Sequence, residues 1–393
     1  MTLRKTRRRD RLNCAEHATI RGRQMTDTVP SIAVLADDLS GAAEVAGAFL
    51  GRDVPLSLRL NALQALASPG VTVADLNTRM MSPGDAAATV RAALANISAS
   101  ALVMKKVDSL LRGHIRAEVA ALAERGPVIV ALALPVLGRT VRNGVLYIGD
   151  TPLHETAAWA AEPAPPPLAV ADLFPDLAGS GRITVYDAET DADLDAIVSA
   201  APPGSQLVGT SALAAAVART LPVRRSDADH VPQSKTVLTV VGTVAPVAAG
   251  QVEALVAGGA RPITVDARAL LHDKADIEPV QRALGRGSAV VTIGGVVDPA
   301  EGQAISAALG HFIAHAEAGL RPDLVLTGGE TARSVVDAIG LTALHPVHEI
   351  HHGAVASVAS DGRRVVTRPG SFGTANSLVD IVRYLTQPRE DNS

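Results

Sequence analysis

The chain has very few aromatic residues: one Trp, three Tyr and four Phe among 393 residues. Its cores must therefore be built from Ala, Val, Leu and Ile, and a base-stacking nucleic-acid surface is not expected. Only one cysteine is present, Cys14. That excludes an internal disulfide and a cysteine zinc cluster, and a reducing cytoplasm is the simplest home. No sign of charge dominates, since the formal net charge of −4 gives no reason to expect nucleic acid as a partner. No apolar run approaches the length of a membrane span, so no membrane partner is expected. A Gly-x-x-x-x-Gly-Lys-Ser/Thr phosphate loop is missing. So is a Gly-x-Gly-x-x-Gly dinucleotide fingerprint, which disfavours an NAD-linked dehydrogenase.

What is present fits a globular protein, with 47% hydrophobic and 19% charged residues. The length exceeds one typical core, so two domains are expected. Residues 1–24 stand apart. Arg4, Lys5, Arg7, Arg8, Arg9, Arg11, Arg21 and Arg23 face only Asp10 and Glu16. A basic targeting or nucleic-acid tail is one reading. A translation start at Met25 is the simpler one, and residues 1–29 are expected to be a disordered extension.

Short apolar runs alternate with alanine-rich, helix-compatible stretches. Ser31–Ala36, Val71–Leu76, Ala101–Val107, Pro127–Leu134, Ile183–Tyr186 and Gln206–Gly209 read as strands. The stretches 82–97 and 114–123 read as helices between them. That rhythm predicts α/β architecture with mainly parallel sheets covered on both faces. Residues 138–182, rich in Gly and Pro, read as a long irregular excursion. The polar segment 222–235 is the expected boundary between domains at 30–225 and 235–388. Beyond it, Thr236–Val241, Pro262–Asp266, Ser288–Ile293, Asp323–Leu326 and Val365–Thr367 read as strands, and Asn376–Leu385 as a closing helix.

Chemistry concentrates where strands end. Lys105-Lys106-Val107-Asp108-Ser109-Leu110-Leu111-Arg112-Gly113 packs ammonium, carboxylate, hydroxyl and guanidinium groups into one short segment. Such residues are seldom buried unless paired, and a solvated strand end with surface ion pairs is the bland alternative. Side chains alternate along a strand, so only one of the two lysines is expected to face a given side. Asp37-Asp38 follows the first strand, where ligands sit in open α/β sheets. Two carboxylates there can bind a metal, orient a hydroxyl or act as a base, although Asp38 or Ser40 would also serve simply as a helix cap. Arg139 follows the strand ending at Leu134, and a purely structural turn is its alternative. Together these groups suit a small substrate with a carboxylate and several hydroxyls, its carboxylate gripped by a two-pronged arginine. Later, Gly242-Thr243, Thr327-Gly328-Gly329-Glu330-Thr331 and Gly370-Ser371-Phe372-Gly373 are small-residue loops suited to a nucleotide phosphate cradle. His345, His348, His351 and His352 are expected to form an exposed loop rather than a metal site.

The set resembles the four-carbon acid sugar kinase family. Asp37-Asp38-Leu39-Ser40-Gly41-Ala42 is similar to its Asp-Asp-x-Thr-Gly-Ala signature, and Lys105 to Gly113 to its Lys-Lys-x-Asp-Ser-Thr-Leu-Arg-Gly element. Pro135 to Thr140 resembles its Pro-x-x-Gly-Arg-Thr loop, and the three glycine loops resemble its nucleotide elements. The matches keep their order from about 31 to 385. The resemblance implies two α/β domains with the active site in the cleft between them. It also implies ATP-dependent phosphorylation of the terminal hydroxyl of a threonate- or erythronate-like acid. A 3-oxo-tetronate kinase and a non-catalytic sugar-acid sensor are the alternatives. Asp38, Asp108 and Lys106 would be catalytic, with Asp38 ranked first as base. Asp37, Ser40, Ser109, Arg112 and Arg139 would bind the sugar acid. Gly242, Thr243, Gly328, Gly329, Glu330, Thr331, Gly370 and Gly373 would contact ATP. Mg²⁺ is expected with ATP, with Glu330 as a ligand, and a homodimer fits the pattern. Leu110 departs from the family's threonine, and His351-His352-Gly353 from its usual Pro-Gly-Val-Pro turn.

Overall fold

The computed structural model describes residues 29–60, 66, 68–159, 164–177, 180–224, 234–242, 246–296, 299–370 and 372–387. The basic extension and the core of the expected boundary, residues 225–233, lie outside these.

The strands of the N-terminal half are β1 (Ser31–Ala36), β2 (Leu56–Leu60), β3 (Gly70–Asp75), β4 (Leu102–Lys106), β5 (Val128–Ala131), β6 (Arg139–Arg142), β7 (Val145–Ile148), β8 (Thr151–Pro152), β9 (Ile183–Val185) and β10 (Gln206–Gly209). Those of the C-terminal half are β11 (Val237–Val241), β12 (Arg261–Asp266), β13 (Ala289–Gly294), β14 (Asp323–Thr327), β15 (Ala343–His351), β16 (Ala354–Ala359) and β17 (Arg364–Arg368). Helices α1 (Leu39–Ala48), α2 (Pro83–Leu94), α3 (Ile115–Ala123), α4 (Asp191–Ala200) and α5 (Ser211–Arg219) belong to the first half. The second half carries α6 (Pro246–Ala257), α7 (Ala267–Leu271), α8 (Glu278–Leu284), α9 (Gly302–Glu317), α10 (Gly329–Ile339) and α11 (Ser377–Thr386). No described helix is long and apolar enough to cross a membrane.

The two halves share one sheet. Its fourteen strands run in the order β12-β13-β11-β14-β17-β16-β15-β2-β3-β1-β4-β10-β5-β9. Within each half the pairings are mainly parallel, as the buried apolar strands require. The halves meet at an antiparallel ladder of β15 on β2, through Ala343↔Arg59 and Leu344↔Leu58.

Three strands of this sheet, β2, β15 and β16, are not expected from the sequence, and all lie at the seam. β15 holds His345, His348 and His351, with His352 in the turn that follows, so the expected exposed loop is a strand ending in a hairpin. Pro346 and two register shifts break its alternation, which hides it from period-two reading. The excursion at 138–182 is also less irregular than expected, since β6, β7 and β8 form a small antiparallel sheet inside it.

Helix α1 is buried from Leu39 to Gly47. It packs on α5 of its own half and on α10, β15, β16 and β17 of the other. A helix enclosed on all sides cannot be amphipathic, which accounts for its Ala- and Gly-rich sequence. One apolar core runs through both halves, joining Val34 and Leu58 to Val335 and Leu344.

Candidate active site

Adjacent parallel strands end together. Ala36 of β1 lies beside Asp75 of β3 on one side and Lys106 of β4 on the other. The loops carrying Asp37-Asp38, Arg79 and Asp108 therefore leave the same sheet edge side by side. Asp38 caps α1 by accepting from the Gly41 N–H at 2.8 Å, and Ser40 Oγ donates to its Oδ2 at 3.0 Å. The cap and the site are thus one residue.

Arg79, absent from the sequence prediction, is the centre of this edge. Asn77, in the left-handed region at φ 50°, turns the chain so that Arg79 points back across the strand ends. Its Nε and Nη2 donate to Asp37 Oδ2 at 2.9 and 2.6 Å. Its Nη1 lies 3.5 Å from Asp38 Oδ2 and 3.9 Å from Asp108 Oδ1. Burial opposes ionisation of Asp37, but Arg79, Lys105 and Lys106 outweigh it and hold the carboxyl below its ordinary value. Asp37 lines neither of the cavities described below. Expected to bind substrate, it instead lies beneath the site and anchors Arg79.

The alternation of the lysines is as read. Lys105 is fully buried and meets Glu118 at 3.1 Å on the inner face, while Lys106 faces the cavity. Asp108 accepts from the Leu110 and Arg112 N–H groups at 3.1 and 3.2 Å and from the Arg112 guanidinium at 2.8 and 2.9 Å. Burial opposes ionisation here too, yet Arg112 and Arg79 hold the carboxyl well below its ordinary value. A carboxylate with its lone pairs so engaged is a poor proton acceptor, which favours Asp38 over Asp108 as the base. Arg112 does grip a carboxylate with two prongs, but it is that of Asp108 rather than a substrate's. Arg139 differs. Its Nη1 donates to Ser109 Oγ, and no carboxylate of the described residues lies within ion-pair distance. Burial draws its guanidinium below the ordinary value, with only partial relief from Asp108. An anionic ligand is the natural partner for a cation in this position.

Two cavities open from this edge. The first, about 530 Å³, is walled by Asp38, Ser40, Glu44, Lys106, Ser109 and Arg139, with Leu110, Leu137 and Phe372 as its apolar part. The second, about 780 Å³, is walled by Gly242, Gly328, Gly329, Glu330, Thr331 and Ile305. Asp38, Arg79, Arg112, Gly329 and Gly370 line both. Gly328, at φ 94°, lets the backbone turn into α10. A Cβ on Gly329 would lie 2.5 Å from Asp38 Oδ2, so only glycine lets the α10 N-terminus reach the end of α1. Of the expected nucleotide contacts, Gly373, in the loop after β17, lines the first cavity and not the second. Thr243 lies outside the described residues. Arg368, fully buried, fixes that loop: Nη1 donates to Gln251 Oε1 at 2.7 Å and Nη2 to the Phe372 carbonyl. Burial with no carboxylate beside it pushes its guanidinium down to about 10.

Glu44 and His352 are further site residues that the sequence motifs do not point to. Glu44 is a lone acid in the Ala-rich α1, a signal that was readable. Arg79 follows a strand end as the other site residues do, and the same rule would have found it. His352 meets Glu44 across the seam, a contact that sequence order does not reveal.

Residues 32–169 match the model of a sugar-binding N-terminal domain, and residues 238–378 that of a nucleotide-binding C-terminal domain. The chain belongs to the four-carbon acid sugar kinase family. A D-threonate kinase of Cupriavidus necator is 31% identical, aligned over 91% of this chain and 98% of the relative. A D-threonate kinase of Bordetella bronchiseptica is 29% identical over 92% and 98%. A 3-oxo-tetronate kinase of Cupriavidus necator is 26% identical over 91% and 97%. The fold is shared with a Salmonella typhimurium protein at a TM-score of 0.70, 20% identical over 90% of this chain and 99% of that one. A Haemophilus influenzae protein shares it at 0.66, 22% identical with the same coverage. In this kinase family member, the charged residues of the first cavity fall in the sugar-binding match and the glycine loops in the nucleotide-binding one.

No group of three or more metal-ligating side chains occurs among the described residues. A magnesium ion carried by a nucleotide needs only one or two carboxylates besides phosphates and water. Glu330 meets that need: it lines the second cavity, its Oε1 is buried without a hydrogen-bond partner, and burial pushes its carboxyl up.

Proposed function

We propose that this protein transfers the γ-phosphoryl group of ATP to the terminal hydroxyl of a four-carbon sugar acid of the D-threonate or erythronate type. The observation that carries the reading is the wall shared by the two cavities. A sugar acid in the first and a nucleotide in the second would meet at Asp38, Arg79 and Gly329. Residues 30–225 would act as the sugar-acid domain and residues 235–388 as the nucleotide domain. The names of the relatives support the substrate class.

Arg139 holds the substrate carboxylate. Ser40, Ser109 and Asp38 take its hydroxyls. The terminal hydroxyl oxygen forms a bond to the γ-phosphorus as the bond to the β,γ-bridging oxygen breaks, and ADP leaves. Asp38 accepts the hydroxyl proton, since Asp37 and Asp108 are closed by arginines. Such transfer depends on positioning and charge neutralisation more than on covalent chemistry. Lys106, Arg79 and the N-terminus of α10 supply positive potential around the transferred group. Glu330 would hold the magnesium ion, which adds charge neutralisation at the phosphates when bound.

Purified protein with ATP, Mg²⁺ and a panel of threonates, erythronates and 3-oxo-tetronates is expected to release ADP with at least one threonate or erythronate. Turnover confined to 3-oxo-tetronates would move the assignment to the second type of relative. Sugar-acid binding without ADP release would identify a sensor and overturn the kinase reaction for this chain.

A further inference from the structure

Glu44 lies in the middle of α1 with its carboxylate on the wall of the first cavity, and the phosphoryl-transfer chemistry above gives it no task. Every group around it keeps it ionised. Ser211 Oγ from α5 donates to Oε1 at 2.6 Å, Lys106 Nζ lies 3.7 Å from Oε2, and His352 Nε2 lies 3.2 Å from Oε1. Burial works against the charge, but Lys106, His352 and Ser211 outweigh it and hold the carboxyl below its ordinary value. One oxygen is thus held from behind by Ser211 and His352. The other faces Lys106 at 3.7 Å, and Glu44 is a wall of the cavity.

His352 comes from the other half, at the turn between β15 and β16. It stacks on Phe372, with ring centroids 5.7 Å apart, and Phe372 is itself a wall of the cavity. Its Nδ1 lies 3.8 Å from Glu349 Oε1, which is fixed by the Gly353 N–H at 2.9 Å. The charged groups facing the ring are Glu44 from α1, Glu349 from β15 and Arg139 from β6. The first two favour the imidazolium, Glu44 most, while burial and Arg139 oppose it, and the ring stays above its ordinary value.

We propose that Glu44 is a substrate-binding residue that accepts a hydroxyl of the sugar acid, and that His352 is the positioning residue that holds it in place from the nucleotide half. This rests on the sugar-acid reading of the cavity. It makes affinity for the acid depend on a residue of the opposite half. As pH rises through the titration of His352, the imidazolium is lost while Glu44 stays ionised. The carboxylate then loses one of its supports, and affinity for the acid falls.

The test compares the wild type with His352→Gln and Glu44→Gln on the best acid of the panel. His352→Gln is expected to raise KM for the acid about fivefold, as for loss of an ion pair to the carboxylate. KM for ATP should move by less than about twofold, within the ordinary effect of a remote change. The wild type should lose kcat/KM for the acid as pH rises past the ordinary histidine value, and His352→Gln should not. Glu44→Gln should raise KM for the hydroxylated acid but hardly change it for one of its mono-deoxy analogues. If Glu44→Gln does not fold, the His352→Gln pH profile decides alone. An unchanged KM for the acid in His352→Gln, or a variant with the wild-type pH profile, would overturn the proposal while leaving the kinase reading intact. A wild type that turns over no acid would overturn both.

Discussion

The two halves of the molecule solve the same problem with opposite materials. The sugar side is built from charged side chains packed to near-complete burial, on strand ends, loops and α1: Asp37, Glu44, Lys105, Lys106 and Asp108. The nucleotide-side loops are built from residues with almost no side chain: Gly242, Gly328, Gly329 and Gly370. A small polyhydroxylated anion offers a distinct pattern of donors and acceptors, which side chains can match one by one. A phosphate chain is recognised by closely approaching backbone N–H groups, which need room more than charge.

Removing the central cation should break the first half most. Arg79→Met leaves Asp37 buried without its guanidinium, and a loss of about 3–5 kcal/mol is expected. Chemical denaturation of the purified variant checks this. A loss of no more than about 1 kcal/mol, the size seen for an ordinary substitution, would deny Arg79 its central place. Arg139→Met acts on binding instead. It should weaken sugar-acid binding by about 1.5–3 kcal/mol, the worth of hydrogen bonds to a charged group, with folding preserved. Calorimetric titration of the acid reads it directly, and equal affinity would return the carboxylate to Arg112. On the other side, Gly242→Ala adds a methyl that collides with the Thr331 hydroxyl. Overpacking of about 1–3 kcal/mol should appear as weaker ATP binding with sugar-acid binding spared. If both ligands lose affinity equally, the division of labour between the halves fails.

The smallest effect is expected with pH. Asp37, Asp108 and Glu44 have carboxyls lower in the folded chain than their ordinary values. Such groups stabilise the fold at pH above the unfolded value, and the contribution is lost as pH falls through the folded one. Asp75 runs the other way: burial pushes its carboxyl up to about 6 against the pull of Arg333, 2.7 Å away. Its contribution therefore weakens the fold as pH rises from the ordinary carboxylate value toward 6. A melting-temperature profile should fall on acidification below about pH 4, the ordinary carboxylate range. Between about pH 6 and the ordinary carboxylate range it should fall more steeply in Asp75→Asn, which lacks the offsetting gain from protonation of Asp75.

The same contrast explains what could be read from the chain alone. Parallel, buried strands announce themselves as apolar runs, and β10 is found with the bounds read from the sequence, Gln206–Gly209. Strand ends then gave most of the site, because topology places every loop after a parallel strand on one edge. The partners of those residues were not readable. Arg112 and Arg139 look equivalent in the sequence, and only geometry shows that one is closed by Asp108 while the other stands open. Leu110 was legible as an odd residue. In place, its carbonyl accepts from Trp159 Nε1 at 2.6 Å and its side chain meets the sugar cavity, which gives that wall an apolar patch.

The ladder of β15 on β2 has a mechanical consequence. It joins two strongly laddered blocks through only two residue pairs, helped by the Leu60 N–H on the Thr342 carbonyl at 3.1 Å. Any torque between the blocks is borne by this narrow neck, by α1 and by the Arg333–Asp75 bridge. The neck and the His352 turn stand at opposite ends of β15, so a small rotation at the neck would be carried along that strand and read at Glu44 as a change in the distance to His352.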